Sequence, residues 1–161
     1  MPKLKVESYL KLILAISFAA IISAYFIQYI LGHQPCNLCL IERIPYGLSI
    51  FLILVHLIYK KNEKFLTILL ILIFLFSFLI SIYHFGIEQE FFKESAVCGS
   101  NNAFGATSKE EILKQLNEKI ISCKDVTLRI FGLSLTSINV IISFIIITIL
   151  IKIYSIYEKV R

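Results

Sequence analysis

Four long apolar stretches divide this chain. Leu12 to Leu31 runs for 20 residues without a charge, Ile44 to Tyr59 for 16, Phe65 to Tyr83 for 19 and Ile130 to Ile151 for 22. A helix crossing a bilayer needs about 20 apolar residues, within a range of about 17 to 25. The first, third and fourth runs meet that length, and the second reads as a shorter span opening near Pro45. Proline disfavours the α conformation in the residue before it but fits the first turn of a helix. The pattern therefore predicts an all-α integral membrane protein, one four-helix bundle with outer loops at 32–43 and 86–131.

The polar segments between the runs set the orientation. The amino end, the turn from Lys60 to Lys64 and the carboxyl end carry nine basic residues against Glu7, Glu63 and Glu158, a net +6. The two remaining loops sum to −1. Lysine and arginine collect on the cytoplasmic side of membrane proteins, so both termini are expected in the cytoplasm and the two loops outside. The first run follows a short basic lead but is too long for the apolar part of a secretory signal, and no small-x-small cleavage site follows it. It is read as a retained span.

Composition agrees. The chain is 58% hydrophobic with mean hydropathy +0.83, well above soluble domains. Its net charge of +5 flanks the spans instead of forming a basic face, which excludes nucleic acid as the expected partner. A transporter would place polar side chains along a central path, and the spans offer only Gln28, His56, Asn139 and scattered hydroxyls. The small residues Ala15, Ala19, Ala20 and Ala24 of the first span suit close helix packing.

Candidate chemistry lies in the loops. All four cysteines, Cys36, Cys39, Cys98 and Cys123, fall on the outer, oxidising side. An even count there ordinarily means structural disulfides, and a bridge between Cys98 and Cys123 would staple a long loop. Bridging Cys36 to Cys39 would constrain little of the unfolded chain, whereas two thiols at that spacing suit reversible exchange. Zinc held by four thiolates would need both pairs to converge permanently in an oxidising compartment, so no metal site is expected. Arg43 follows Cys39 by four positions, one helical turn, where its charge can favour a thiolate or an electron-rich ring. His84 closes the third span at about the same depth. In the long loop, Ser108-Lys109-Glu110-Glu111 reads as a capping box, and Ile112, Leu116 and Ile120 continue an amphipathic helix to about Cys123. Two cysteine pairs on one face suggest a relay in which a loop disulfide takes electrons from a soluble thiol protein and passes them to a fixed pair at the membrane.

Pro35-Cys36-Asn37-Leu38-Cys39-Leu40-Ile41-Glu42-Arg43, then Tyr83-His84-Phe85-Gly86, then Cys123 ahead of Arg129-Ile130-Phe131-Gly132-Leu133-Ser134, resemble in order the DsbB family of bacterial inner-membrane proteins. The resemblance covers essentially the whole chain. It implies a quinone-dependent protein thiol oxidase that reoxidises a periplasmic DsbA-like thioredoxin-fold protein, drawing on ubiquinone or menaquinone in the lipid bilayer. It further implies that a reduced partner attacks Cys98, that Cys123 is its loop partner and exchanges with Cys36, and that Cys39 then reacts with the quinone. Arg43 occupies the family's quinone-binding position, and His84 becomes a candidate lining residue. A DsbA-like protein is itself a strong oxidant, so recharging it calls for a more oxidising acceptor than a cysteine pair. The competing expectation is a non-enzymatic four-span protein whose outer loops are held by structural disulfides.

Overall fold

A computed structural model of the chain describes residues 2–60, 62–94, 97–98, 122–124, 128–130 and 132–159. Among these residues the elements are α1 (Pro2–Tyr29), α2 (Asn37–Ile41), α3 (Arg43–Tyr59), α4 (Glu63–Glu88), the two-residue strands β1 (Arg129–Ile130) and β2 (Leu133–Ser134), and α5 (Leu135–Lys159). Four helical stretches among the described residues are long and apolar enough to cross a membrane: Val6–Tyr29, Asn37–Tyr59, Glu63–Glu88 and Leu135–Ser155. The amphipathic helix expected over 108–123 lies outside the described residues.

All four spans differ from their expected limits: the first begins at Val6 instead of Leu12, the third runs on to Glu88 past Tyr83, and the second and fourth differ at their starts. The second starts at Asn37 instead of Ile44, because α2 and α3 are separated only by Glu42, itself in the right-handed helical region at φ −63° and ψ −17°. Pro45 costs no hydrogen bond there, since it sits in the first turn of α3, where backbone N–H groups have no partner within the helix. The last helix begins at Leu135 instead of Ile130. Residues 129–130 and 133–134 pair as antiparallel strands, Arg129 with Ser134 and Ile130 with Leu133, and Gly132 before the second strand has a φ of +83°. Ser134 then ends the second strand and starts the helix, its Oγ accepting the Ser137 N–H at 3.2 Å, as a helix-capping serine does.

The core follows from which stripe of each apolar helix faces its neighbours. Ile13 of α1, Ile53 of α3, Leu70 and Phe74 of α4, and Ile146 and Leu150 of α5 are fully buried together. Phe74 meets the Tyr46 ring edge-on, with centroids 5.6 Å apart. Phe51, Ile58, Leu72, Phe76 and Phe144 are exposed, as expected for the lipid face of a span. Hydroxyl pairs join helices at depth: Ser17 to Ser49 at 2.9 Å and Ser77 to Ser143 at 3.3 Å. Such pairs satisfy buried polar groups where water is absent. At the end of the bundle away from the cysteines, Lys64 lies 5.3 Å from the Tyr154 ring and Lys152 5.6 Å from that of Tyr9.

Phe74→Ala should therefore cost about 3–5 kcal/mol in an SDS-unfolding titration, while Phe76→Ala, on the exposed face of the same helix, should cost less than about 1 kcal/mol.

Candidate functional site

The Cys36-x-x-Cys39 pair opens a helix. Cys36 is extended, at φ −73° and ψ 169°, and its sulfur caps α2 by accepting the Cys39 N–H at 3.3 Å. The two sulfurs stand 3.0 Å apart as free thiols. A thiol at a helix N-terminus meets the positive end of the helix dipole, which favours its thiolate. The hydrogen bond from Cys39 is the main cause that brings the Cys36 thiol well below its ordinary value; burial opposes this, and contact with His84 adds to it.

His84 reaches the pair from the last turn of α4. Its Nε2 lies 3.5 Å from the Cys36 sulfur, and its Nδ1 lies 3.1 Å from Glu42 Oε1. Both His84 and Glu42 are buried. The Glu42 carboxylate can only accept, so the Nδ1 proton points to it, and Nε2 is left to take a proton from the thiol or return one to the thiolate. Thr136 of α5 completes the surroundings. Its hydroxyl lies 3.4 Å from Nδ1 and donates to Glu88 Oε1 at 2.5 Å.

The sequence Tyr83-His84-Phe85-Gly86 acquires a packing reason here. A Cβ at Gly86 would collide with the Phe92 ring, whose backbone N–H bonds the Gly86 carbonyl at 3.1 Å and whose ring stacks on Tyr83 at 5.7 Å. This fold-back ends α4 with His84 facing inward.

The loop cysteines join this site. Cys98 and Cys123 form a disulfide with Cα atoms 5.4 Å apart. They pack in one buried cluster with Cys36, Leu38 and Ile87. Asn37 Nδ2 donates to the Val97 carbonyl at 2.8 Å, tying the Cys98 segment to the first turn of α2. Glu94 accepts hydrogen bonds from the Ser122 hydroxyl and from the Lys124 N–H, the latter at 3.2 Å.

Cys36, Cys39, Arg43, His84, Glu88 and Cys123 border one cavity of about 430 Å³. Its deeper wall is apolar, with Ile16, Ala20 and Ala24 from α1 and Ile138 and Ile142 from α5. The turn from Cys39 to Arg43 is helical. Arg43 is drawn to α1, donating to Gln28 Oε1 at 2.6 Å and lying 5.2 Å from the Tyr25 ring. It also lines a neighbouring groove of about 530 Å³ with Tyr25, Gln28 and Leu40.

A protein-family match covers residues 7–153, under the description disulfide bond formation protein DsbB. The chain belongs to the DsbB family. An uncharacterized protein of Rickettsia prowazekii (strain Madrid E) is 32% identical over 133 residues, covering 81% of this chain and 77% of the relative. No solved structure matches. Family membership and the four apolar helices make this DsbB-family protein a multi-pass membrane protein of disulfide bond formation, an oxidoreductase whose chemistry is thiol–disulfide exchange.

Six site residues were named from the sequence, and the structure gathers all of them around the cavity or its disulfide. Glu42, Glu88 and Thr136 were missed. Two signals were available: Glu42 stands three positions after Cys39, and Glu88 four positions after His84, each one helical turn away on the same face. Tyr46, Asn139 and Ser81 form a further polar group. The Tyr46 hydroxyl donates to Asn139 Oδ1, and Asn139 Nδ2 donates to Ser81 Oγ at 2.7 Å.

In the reduced protein, Cys36 should be alkylated at a nearly constant rate from about pH 8 down to about pH 6. An ordinary thiol, titrating near 8.5, slows about tenfold for each pH unit over that range. Cys39→Ala should restore the ordinary slope, as read by mass spectrometry of iodoacetamide-treated protein.

Proposed function

We propose that this DsbB-family protein reoxidises a periplasmic DsbA-like thioredoxin-fold protein and passes the electrons through its two cysteine pairs to a membrane quinone. It would act as a single four-helix domain of the bacterial inner membrane with both termini cytoplasmic and all four cysteines periplasmic. The observation that carries this reading is that Cys123 of the loop disulfide lines the same cavity as the free thiols Cys36 and Cys39. A loop staple with no redox role would have no need to meet the other pair.

The exchange balances as follows. A partner thiolate attacks Cys98, breaking the Cys98–Cys123 bond and forming a mixed disulfide. The partner's second thiol displaces Cys98, which leaves two electrons on the loop pair. With the inner pair oxidised, the Cys123 thiolate attacks Cys36 and releases Cys39 as a thiolate. Cys98 then attacks Cys123, which restores the loop disulfide and leaves Cys36 and Cys39 reduced. A joined loop pair beside a free inner pair corresponds to the end of this sequence.

The residues fit a quinone. The cavity offers an apolar wall for a prenylated ring, the His84 ring supplies a polar contact beside the Cys36 sulfur, and Arg43 lies on the cavity's border. A bound quinone supplies a two-electron, two-proton acceptor drawn from the bilayer. His84 Nε2 gives a proton to the Cys36 thiolate when Cys98 displaces it and takes that proton back when the inner pair is reoxidised, and Glu42 holds the ring in the orientation that permits it. The charge of Arg43 favours anions nearby, both the Cys39 thiolate and negative charge developing on the acceptor.

Detergent-solubilised protein, given a quinone and a reduced thioredoxin-fold partner, should reduce the quinone catalytically in an absorbance assay. Cys39→Ser should abolish turnover, and intact turnover in that variant would sink the relay. In cells, inhibiting respiration should shift all four cysteines to the reduced form in thiol trapping, whereas structural disulfides would stay oxidised. Cys98 is buried, so partner attack requires the 97–98 segment to lift from α2. Losing the Asn37 amide in Asn37→Ala should speed reduction of the loop disulfide by dithiothreitol by about 2- to 5-fold, since such a bond contributes about 1 kcal/mol or less.

A further inference from the structure

The geometry points to a site for a thiophilic d10 cation, zinc in the first place, formed by Cys36, Cys39 and His84 whenever the inner cysteine pair is reduced. This departs from the absence of metal expected on sequence. The donor set is two thiolates beside a histidine, not four thiolates drawn from both loops.

The three ligand atoms all lie within 4.8 Å of one another. Zinc bonds of about 2.3 Å to sulfur and about 2.0 Å to nitrogen at tetrahedral angles set sulfur and nitrogen about 3.5 Å apart and two sulfurs about 3.8 Å apart. The Cys36 to His84 distance is 3.5 Å. The sulfurs, at 3.0 Å, must part by about 0.8 Å, which falls to the Cys39 side chain. Two cysteines and one histidine form a known zinc donor set that leaves a fourth position open, and here that position faces the cavity lined by all three residues.

His84 is also oriented as a metal ligand. A ligating histidine characteristically donates its other ring N–H to a carboxylate, which fixes the tautomer and raises the basicity of the ligating nitrogen. Glu42 provides that carboxylate at Nδ1, 3.1 Å away, leaving the Nε2 lone pair turned toward the sulfurs. Binding replaces two thiol protons with one divalent cation and transfers no electrons. A disulfide between Cys36 and Cys39 removes both thiolates, so the site exists only in the reduced state. A cation caught there would hold the pair reduced and stall exchange until it left. The inference stands on this geometry and does not depend on which acceptor takes the electrons.

The test uses the full-length Cys98→Ser/Cys123→Ser protein in detergent, reduced with a phosphine, so that the inner pair supplies the only thiols. Cadmium is titrated as a spectroscopic stand-in, read by its thiolate charge-transfer absorption in the ultraviolet, and zinc is added to displace it. One saturable cadmium site per chain is expected, lost on oxidation of the pair. Glu42→Gln should weaken it by about 10- to 100-fold, the usual effect of removing such an orienting partner. His84→Ala should weaken it further, with His84→Gln in its place if the alanine variant is not monodisperse. Absence of the band, or equal affinity in the Glu42 and His84 variants, would overturn the proposal. Cadmium binding in the double variant, together with failure of the unsubstituted protein to reduce quinone with a reduced partner, would count against the thiol-oxidase reading and leave the metal site standing.

Discussion

The contact between Glu42 and His84 holds the site together. A carboxylate and an imidazole are buried at the cysteine-bearing end of a membrane bundle, where an unpaired polar group costs several kcal/mol. Each is made tolerable by the other, at 3.1 Å. Glu42 is the single residue between α2 and α3, and His84 ends the third span. Their contact therefore fixes the start of one membrane helix against the end of the next. The free side of the imidazole then falls 3.5 Å from Cys36, and Thr136 brings the last helix to the same ring. Every span except the first meets at this histidine.

The first span contributes in a different way. Its Gln28 and Tyr25 take up Arg43, and its small and aliphatic side chains form the apolar wall below the sulfurs. The site thus has a polar roof built by α2, α4 and α5 and an apolar floor in which α1 takes a large part. A flat ring with a long hydrocarbon tail is chemically divided in the same way. Arg43, held by the first span, borders both the cavity and the neighbouring groove.

Much of this could be read from the chain. Uninterrupted apolar runs announced the four spans, because length and apolarity act on the whole helix and do not depend on neighbours. The cysteine spacing gave the chemistry for the same local reason. The limits of the second span were not legible, because the preference against helix before Pro45 was outweighed by a capping sulfur at Cys36 and by burial of Leu38. The start of the last span was hidden as well, since Ile130 and Leu133 are apolar enough to read as helix while pairing as strands. Glu42 looked like a loop charge offset by its neighbour Arg43. Its real partner is 42 positions away in sequence, a contact that only packing can reveal.

Burial would give the proposed relay its direction. Cys36, Cys98 and Cys123 are all nearly inaccessible, so small thiols and oxidants meet none of them readily. Exchange between buried pairs needs no excursion into water when Cys123 and Cys36 share one cluster. Entry of electrons from outside does need movement, and the Cys98 segment is held to α2 by the hydrogen bond between Asn37 and Val97. In the proposed relay a docking protein would open a contact this weak by replacing it with contacts of its own. Selectivity for a protein partner would then arise from the cost of exposing Cys98 more than from any special reactivity of its sulfur.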